Sequence, residues 1–225
     1  MNKSAAIAAL VLAACSAAQD APSRVARPKL VVLCSIDQLA TWVFDEARPH
    51  FAADGGFRRL LDEGVLFAEC AYLHGCTETG PGHATIGTGA PASAHGIVKN
   101  EWYDRDQKAK VYCAGDEAVL PHADFPEGKR RGPLRLLVPT IGDLLSRSNA
   151  ASKVVAVAAK DRSAILMAGG EADAVVWFEP TTGRFVTNTR WGSAPPQWLL
   201  DFDRKKPADA FFGWTWERTG PAAAY

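Results

Sequence analysis

Lys153-Val154-Val155-Ala156-Val157-Ala158-Ala159 runs directly into Lys160-Asp161-Arg162, and the reading of this junction decides the fold class. An unbroken apolar run is the pattern of a strand covered on both faces, because strands of a parallel sheet are buried on both sides and do not alternate. A charged motif at the end of such a strand stands where open α/β sheets collect their ligands. The same pattern recurs on either side. Residues 30–36 form a mostly apolar run ending at Asp37, residues 65–72 are a second strand candidate, and residues 172–178 are another. Between them lie helical segments. Residues 56–63 place Phe57, Leu60 and Leu61 on one face and stop at Gly64; residues 80–88 start with Pro81 in the first turn. Residues 140–148 turn Ile141, Leu144 and Leu145 inward. Strand, helix and strand in this order predict an α/β fold, a mostly parallel sheet flanked by helices.

The chain has 225 residues, enough for one sizeable domain. Its 25 Lys and Arg balance 25 Asp and Glu, which argues against nucleic acid as the main partner; Lys129-Arg130-Arg131 is a local basic patch only. Lys3 precedes a short apolar run over residues 5–14, placed like a signal peptide and too short to span a bilayer. Leu12-Ala13-Ala14-Cys15 reads as a lipobox whose cysteine would be lipidated, with a plain secretory signal as the alternative. The expected organisation is a signal peptide with lipobox at 1–15, a tether at 16–28 and the domain at 29–225. The expected location is the periplasm or the outer membrane as a lipoprotein, with membrane contact only through Cys15. The remaining cysteines, Cys34, Cys70, Cys76 and Cys113, allow three pairings that sequence does not choose between. Cys34 sits in an apolar run and is expected to be buried. No CxxC spacing occurs, which argues against a cysteine metal site. Residues 114–133 read as an irregular insertion, and the tryptophans and phenylalanines after Arg184 read as packing residues.

Chemistry concentrates in Cys76-Thr77-Glu78-Thr79-Gly80-Pro81-Gly82-His83. Thr79 stands where a helix would begin. It is either a helix cap or a hydroxyl presented to an anion by the free N–H groups and positive dipole of that helix end. A threonine hydroxyl is a poor nucleophile at neutral pH and would need one metal to lower its pKa and a second to stabilise the leaving oxygen. Asp37, at the end of its apolar run, is a metal ligand or a loop cap. Asn100 is a phosphoryl-oxygen donor or a turn residue. Lys160 and Arg162 are an exposed charged turn or two cations aimed at a phosphate dianion, with Arg able to bind two oxygens at once. His95 reads as structural.

Taken together, these motifs resemble the alkaline phosphatase superfamily. Val31-Val32-Leu33-Cys34-Ser35-Ile36-Asp37-Gln38, Thr77 to His83, His95-Gly96-Ile97, Asn100 with Trp102-Tyr103-Asp104, and Lys160-Asp161-Arg162-Ser163-Ala164-Ile165 carry the likeness. The branch is that of the type I phosphodiesterases and nucleotide pyrophosphatases, and within it the phosphate-irrepressible alkaline phosphatases with a threonine nucleophile. The resemblance implies phosphomonoester hydrolysis through a phospho-threonine intermediate at a two-zinc site. It implies Thr79 as nucleophile and metal-site residue, Asp37 as a zinc ligand, and Asn100, Lys160 and Arg162 as contacts to a small phosphate-ester substrate. Lys160 and Arg162 favour a monoester, because two cations offset the extra charge of its dianion. The remaining family ligands, two aspartates and three histidines, match nothing in this sequence. The five histidines, His50, His74, His83, His95 and His122, do not fit those motifs. The chain is therefore expected to be an N-terminal part of the domain, incomplete at its C-terminus and inactive alone. A phosphodiesterase or nucleotide pyrophosphatase is the alternative activity, and a non-catalytic exported remnant the alternative class. A sulfatase is disfavoured because Cys76 lacks the Pro and Arg context its modification requires.

Overall fold

The computed structural model describes residues 28–218; the lipobox at Cys15 and nearly all of the expected tether lie outside them. The chain divides into two units, residues 1–36 and 37–225. In the first, the described residues form neither helix nor strand, and Leu30, Val31, Val32 and Leu33 are exposed. The strand expected at 30–36 is thus not formed, and Cys34 is exposed rather than buried. An apolar run predicts burial, but a strand also needs a hydrogen-bonded neighbour. The run expected at 65–72 fails for the same reason. It forms no strand, and Val65 and Phe67 are exposed.

The core of the second unit is built from the opening junction. Strand β3 (Val155–Ala158) leads into helix α6 (Asp161–Ala168) and returns as β4 (Ala174–Glu179), parallel to β3. This is a βαβ unit, and it makes the fold α/β. Strand β3 itself is an edge strand among the described residues, with Val155 and Val157 exposed, so its apolar run is not covered on both faces as expected. Strand β5 (Arg184–Val186) adds an antiparallel edge, in the sheet order β3-β4-β5. β4 is central and almost wholly buried, which is why its residues read as a continuous apolar run. A separate antiparallel hairpin joins β1 (Glu101–Asp104) to β2 (Ala109–Tyr112). Its turn is held by Asp104, whose Oδ1 accepts the backbone N–H of Asp106 and Gln107.

Two small helices, α1 (Thr41–Ala47) and α2 (Gly56–Glu63), are tied by the ring cluster of Phe44, Phe51 and Phe57. Helix α3 (Thr79–Thr88) packs directly on α6. Its face is made of small residues, so the backbones approach closely. A Cβ on Gly87 would lie 2.7 Å from the Leu166 carbonyl oxygen and 2.8 Å from Met167 Cα. A one-turn helix α4 (Ala92–His95) follows.

Helix α5 (Ile141–Ser148) corrects an expectation. Its inward residues are Gly142 and Asp143, while Ile141, Leu144 and Leu145 are exposed. The reason is its capping box. Thr140 Oγ1 accepts the Asp143 N–H and donates to the Ala168 carbonyl; Asp143 accepts the N–H groups of Thr140 and Glu171. Satisfying these buried polar groups fixes the rotation of the helix against α6. Near the C-terminus, α7 (Gln197–Arg204) contributes Leu199 to the core. Of the late aromatics, Trp191 packs edge-on against Trp177, whereas Phe212, Trp214 and Trp216 are exposed. The described cysteines are all free, and no described helix is long and apolar enough to cross a membrane.

Candidate functional site

The site gathers at the N-terminal ends of α3 and α6. Thr79 is the first residue of α3, after Glu78 as N-cap, so its hydroxyl does not cap the helix. It donates instead to Asp37 Oδ2 at 3.0 Å. Lys160, the N-cap residue of α6, brings its ammonium to 3.5 Å from the same oxygen. Burial pushes the Asp37 carboxyl up, but the Thr79 hydrogen bond and the Lys160 and His83 charges outweigh it and hold it below its ordinary value. His83 Nδ1–H donates to the Thr79 carbonyl at 2.8 Å.

Asn100 flanks the other side of the helix start. Its Oδ1 accepts the Gly80 N–H at 2.7 Å, and its own N–H donates to Glu78 Oε2 at 2.7 Å. With Oδ1 committed, the donors that Asn100 can offer a ligand are its Nδ2 hydrogens. Position 80 is tight: a Cβ there would lie 3.0 Å from Asn100 Oδ1 and 3.2 Å from Cys113 Sγ, so both would have to give by a few tenths of an ångström. The Glu78 carboxyl is held low, chiefly by the Asn100 N–H, and Arg162 is among the charges that act on it.

Arg162 is the second residue of α6. Its Nη1 donates to the Tyr112 hydroxyl at 3.2 Å, and its Nε is buried without a hydrogen-bond partner among the described residues. Burial lowers the Arg162 pKa, and Tyr112 and Asp161 more than restore it. The structure therefore brings Asp37, Thr79, Asn100, Lys160 and Arg162 to the N-terminal ends of α3 and α6, where the helix dipole is positive.

Sequence reasoning assigned no role to Tyr112, Asp161, Arg131, Glu78 or His83. Asp161 lay inside the quoted Lys160-Asp161-Arg162 motif, and Glu78 next to Thr79; position was the only signal for either. His95 is structural. It is fully buried, its Nδ1 accepts the Ile97 N–H, and its Nε2 therefore donates to Thr85 Oγ1 at 3.0 Å.

A zinc ion takes about four ligands. Asp37 and Thr79 offer two oxygen donors, and no group of three His, Cys, Asp or Glu side chains converges among the described residues. The residues present do not fit a two-zinc site by themselves.

Comparison with known proteins follows the same lines. The family profile described as type I phosphodiesterase / nucleotide pyrophosphatase matches residues 31–220. Alkaline phosphatase PhoK of Sphingomonas sp is 42% identical over 153 residues, which are 67% of this chain and 27% of PhoK. Alkaline phosphatase PafA of Elizabethkingia meningoseptica is 38% identical over 183 residues, 80% of this chain and 33% of PafA. A crystal structure of a PafA variant, substituted at a Thr, an Asn, a Lys and an Arg, aligns with a TM-score of 0.82 at 33% identity. It covers 88% of this chain and 38% of that one. The chain thus spans about a third of the length of the curated relatives it matches.

Proposed function

The chain belongs to the type I phosphodiesterase / nucleotide pyrophosphatase family, and from that premise we propose that it carries the nucleophile and the dianion clamp of an exported phosphomonoesterase. The observation that carries the proposal is the Thr79 hydroxyl in the first turn of α3, bonded to Asp37 at 3.0 Å, with Lys160 on the same carboxylate. In the reaction, the Thr79 oxygen bonds to phosphorus as the ester oxygen leaves, and water later releases the phosphoryl group. Little covalent chemistry is asked of the protein beyond the nucleophile. Its work is positioning and charge. Lys160, Arg162 and the Nδ2 of Asn100 would hold the phosphoryl oxygens, and the N-terminal end of α3 would add its positive dipole. Zinc at this site would need donors beyond those described. The same four residue types are the ones substituted in the PafA variant.

The test uses the longest protein that contains this chain, assayed on an aryl phosphate. Thr79→Ser should keep measurable turnover and Thr79→Ala should lose nearly all of it, and acid quench should trap a peptide phosphorylated on Thr79 from the unsubstituted protein. An unchanged rate in Thr79→Ala removes the assignment. Replacing Lys160 and Arg162 together should reduce monoester turnover far more than diester turnover; equal losses on both would show that the pair is structural. Export through a lipidated Cys15 belongs to the same proposal, and Cys15→Ala should release the protein from the membrane fraction.

A further inference from the structure

Asp161 and Arg162 are consecutive in α6, where neighbouring side chains do not face each other, and each finds its partners elsewhere. Asp161 Oδ2 accepts Arg131 Nε at 2.8 Å, and its Oδ1 accepts the Tyr112 hydroxyl at 2.6 Å and the Arg162 backbone N–H at 2.7 Å. A carboxylate only accepts, so the Tyr112 proton points at Asp161. The lone pairs of the phenol oxygen are then what receive Arg162 Nη1. Arg131 lies over the Tyr112 ring, 4.5 Å from its centroid, which aims its Nε at Asp161. The charges of Arg131 and Asp161 thus offset each other, and the Arg162 guanidinium is held by a neutral group.

The backbone of Tyr112 is pinned as well. Its carbonyl accepts Arg135 Nε at 3.1 Å, and the next residue, Cys113, donates its N–H to the Asn100 carbonyl at 2.9 Å. Tyr112 therefore joins the Asn100 side of the site to the Arg162 side. Arg162 keeps its full charge, and its buried Nε still lacks an acceptor among the described residues. An oxygen of a dianionic phosphoryl group supplies that acceptor.

The geometry points to Tyr112, Asp161 and Arg131 as positioning residues that hold Arg162 in place for a phosphoryl dianion while keeping its charge unneutralised by Asp161. The inference rests on the phosphomonoesterase reading and deepens it, because it names what selects the dianion. Burial and the neighbouring Asp161 push the Tyr112 pKa up, so the hydroxyl stays protonated throughout the neutral and moderately alkaline range.

The experiment takes the 225-residue chain, isotope-labelled on arginine, and titrates it by NMR. One probe is inorganic phosphate at a pH where it is a dianion; the other is dimethyl phosphate, a monoanion. Tyr112→Phe keeps the ring and removes the hydroxyl. It should weaken phosphate binding about tenfold, the value of one charge-assisted hydrogen bond, and leave dimethyl phosphate within about twofold. It should add nothing in an Arg162→Ala background. Arg131→Gln frees Asp161 to pair with Arg162 and should reproduce the selective loss. Equal losses on both anions, or the same loss without Arg162, overturn the inference and leave Tyr112 a structural pin. Failure of the unsubstituted chain to bind either anion counts against the phosphomonoesterase reading, and the positioning is then judged on Arg162 alone. Separate, slowly exchanging Nη signals that average in Tyr112→Phe uphold it. Identical Arg162 spectra in the two proteins overturn it.

Discussion

Gly87→Ala tests whether the α3–α6 contact sets the site. An added Cβ would meet two backbone atoms of α6, the Leu166 carbonyl oxygen at 2.7 Å and Met167 Cα at 2.8 Å. Neither can rotate away, and the second is about 0.7 Å inside the ~3.5 Å at which carbon atoms pack. Overpacking costs about 1–3 kcal/mol, and two backbone contacts that cannot rotate away place this case at about 2–3 kcal/mol. Alanine regains up to about 1 kcal/mol of helix propensity, so the net loss is about 1–2 kcal/mol. For a domain of this size that lowers Tm by about 3–6 °C. Gly82→Ala is the control, because the Cβ there meets only the Tyr72 hydroxyl at 3.8 Å. The same propensity gain should then appear unopposed, raising stability by up to about 1 kcal/mol. The assay is urea unfolding followed by far-UV circular dichroism. Thr79 begins α3 and Lys160 caps α6, so the separation forced at position 87 should also loosen the bond chain from Thr79 through Asp37 to Lys160. A Gly87→Ala protein as stable as the parent would refute the close-packing argument.

Three further outcomes follow from the same contacts. Asp143→Ala leaves the buried N–H groups of Thr140 and Glu171 without acceptors and should destabilise the chain by about 2–3 kcal/mol, read by the same unfolding curves. The Asp37 carboxyl lies below its ordinary value of 3.8 in the folded chain, so its stabilisation is present above that value and is lost as pH falls through the lower folded one. Lys160→Ala should raise the Asp37 pKa in an NMR titration, and an unmoved pKa would remove Lys160 from its environment. Burial pushes the Cys113 thiol up to about 12, so iodoacetamide at mildly alkaline pH should label exposed Cys34 and Cys70 and spare Cys113 until denaturant is added.

How far each feature could be read from sequence follows from what carries it. The β3–α6–β4 unit was legible because one continuous apolar run, one charged end and one helix lie within 27 consecutive positions, residues 153–179. Residues 30–36 and 65–72 carry the same apolar signal and form no strand, because hydropathy reports a tendency to burial and says nothing about a neighbour to bond with. Helix α5 shows the converse: three apolar side chains were expected inward, yet a buried cap fixed the helix rotation with glycine and aspartate facing the core. Thr79, Lys160 and Arg162 could be found because they stand at the ends of elements, where a local pattern announces a helix start. Tyr112 and Arg131 stand 49 and 30 positions from Asp161, and no local pattern announces them. Lys160 and Arg162 flank Asp161 in the chain, but neighbouring helical residues do not face each other. In space the ion-pair partner of Asp161 is Arg131, and the consequence is chemical: Asp161 is engaged away from Arg162, the guanidinium that among the described residues has a buried, unpartnered donor.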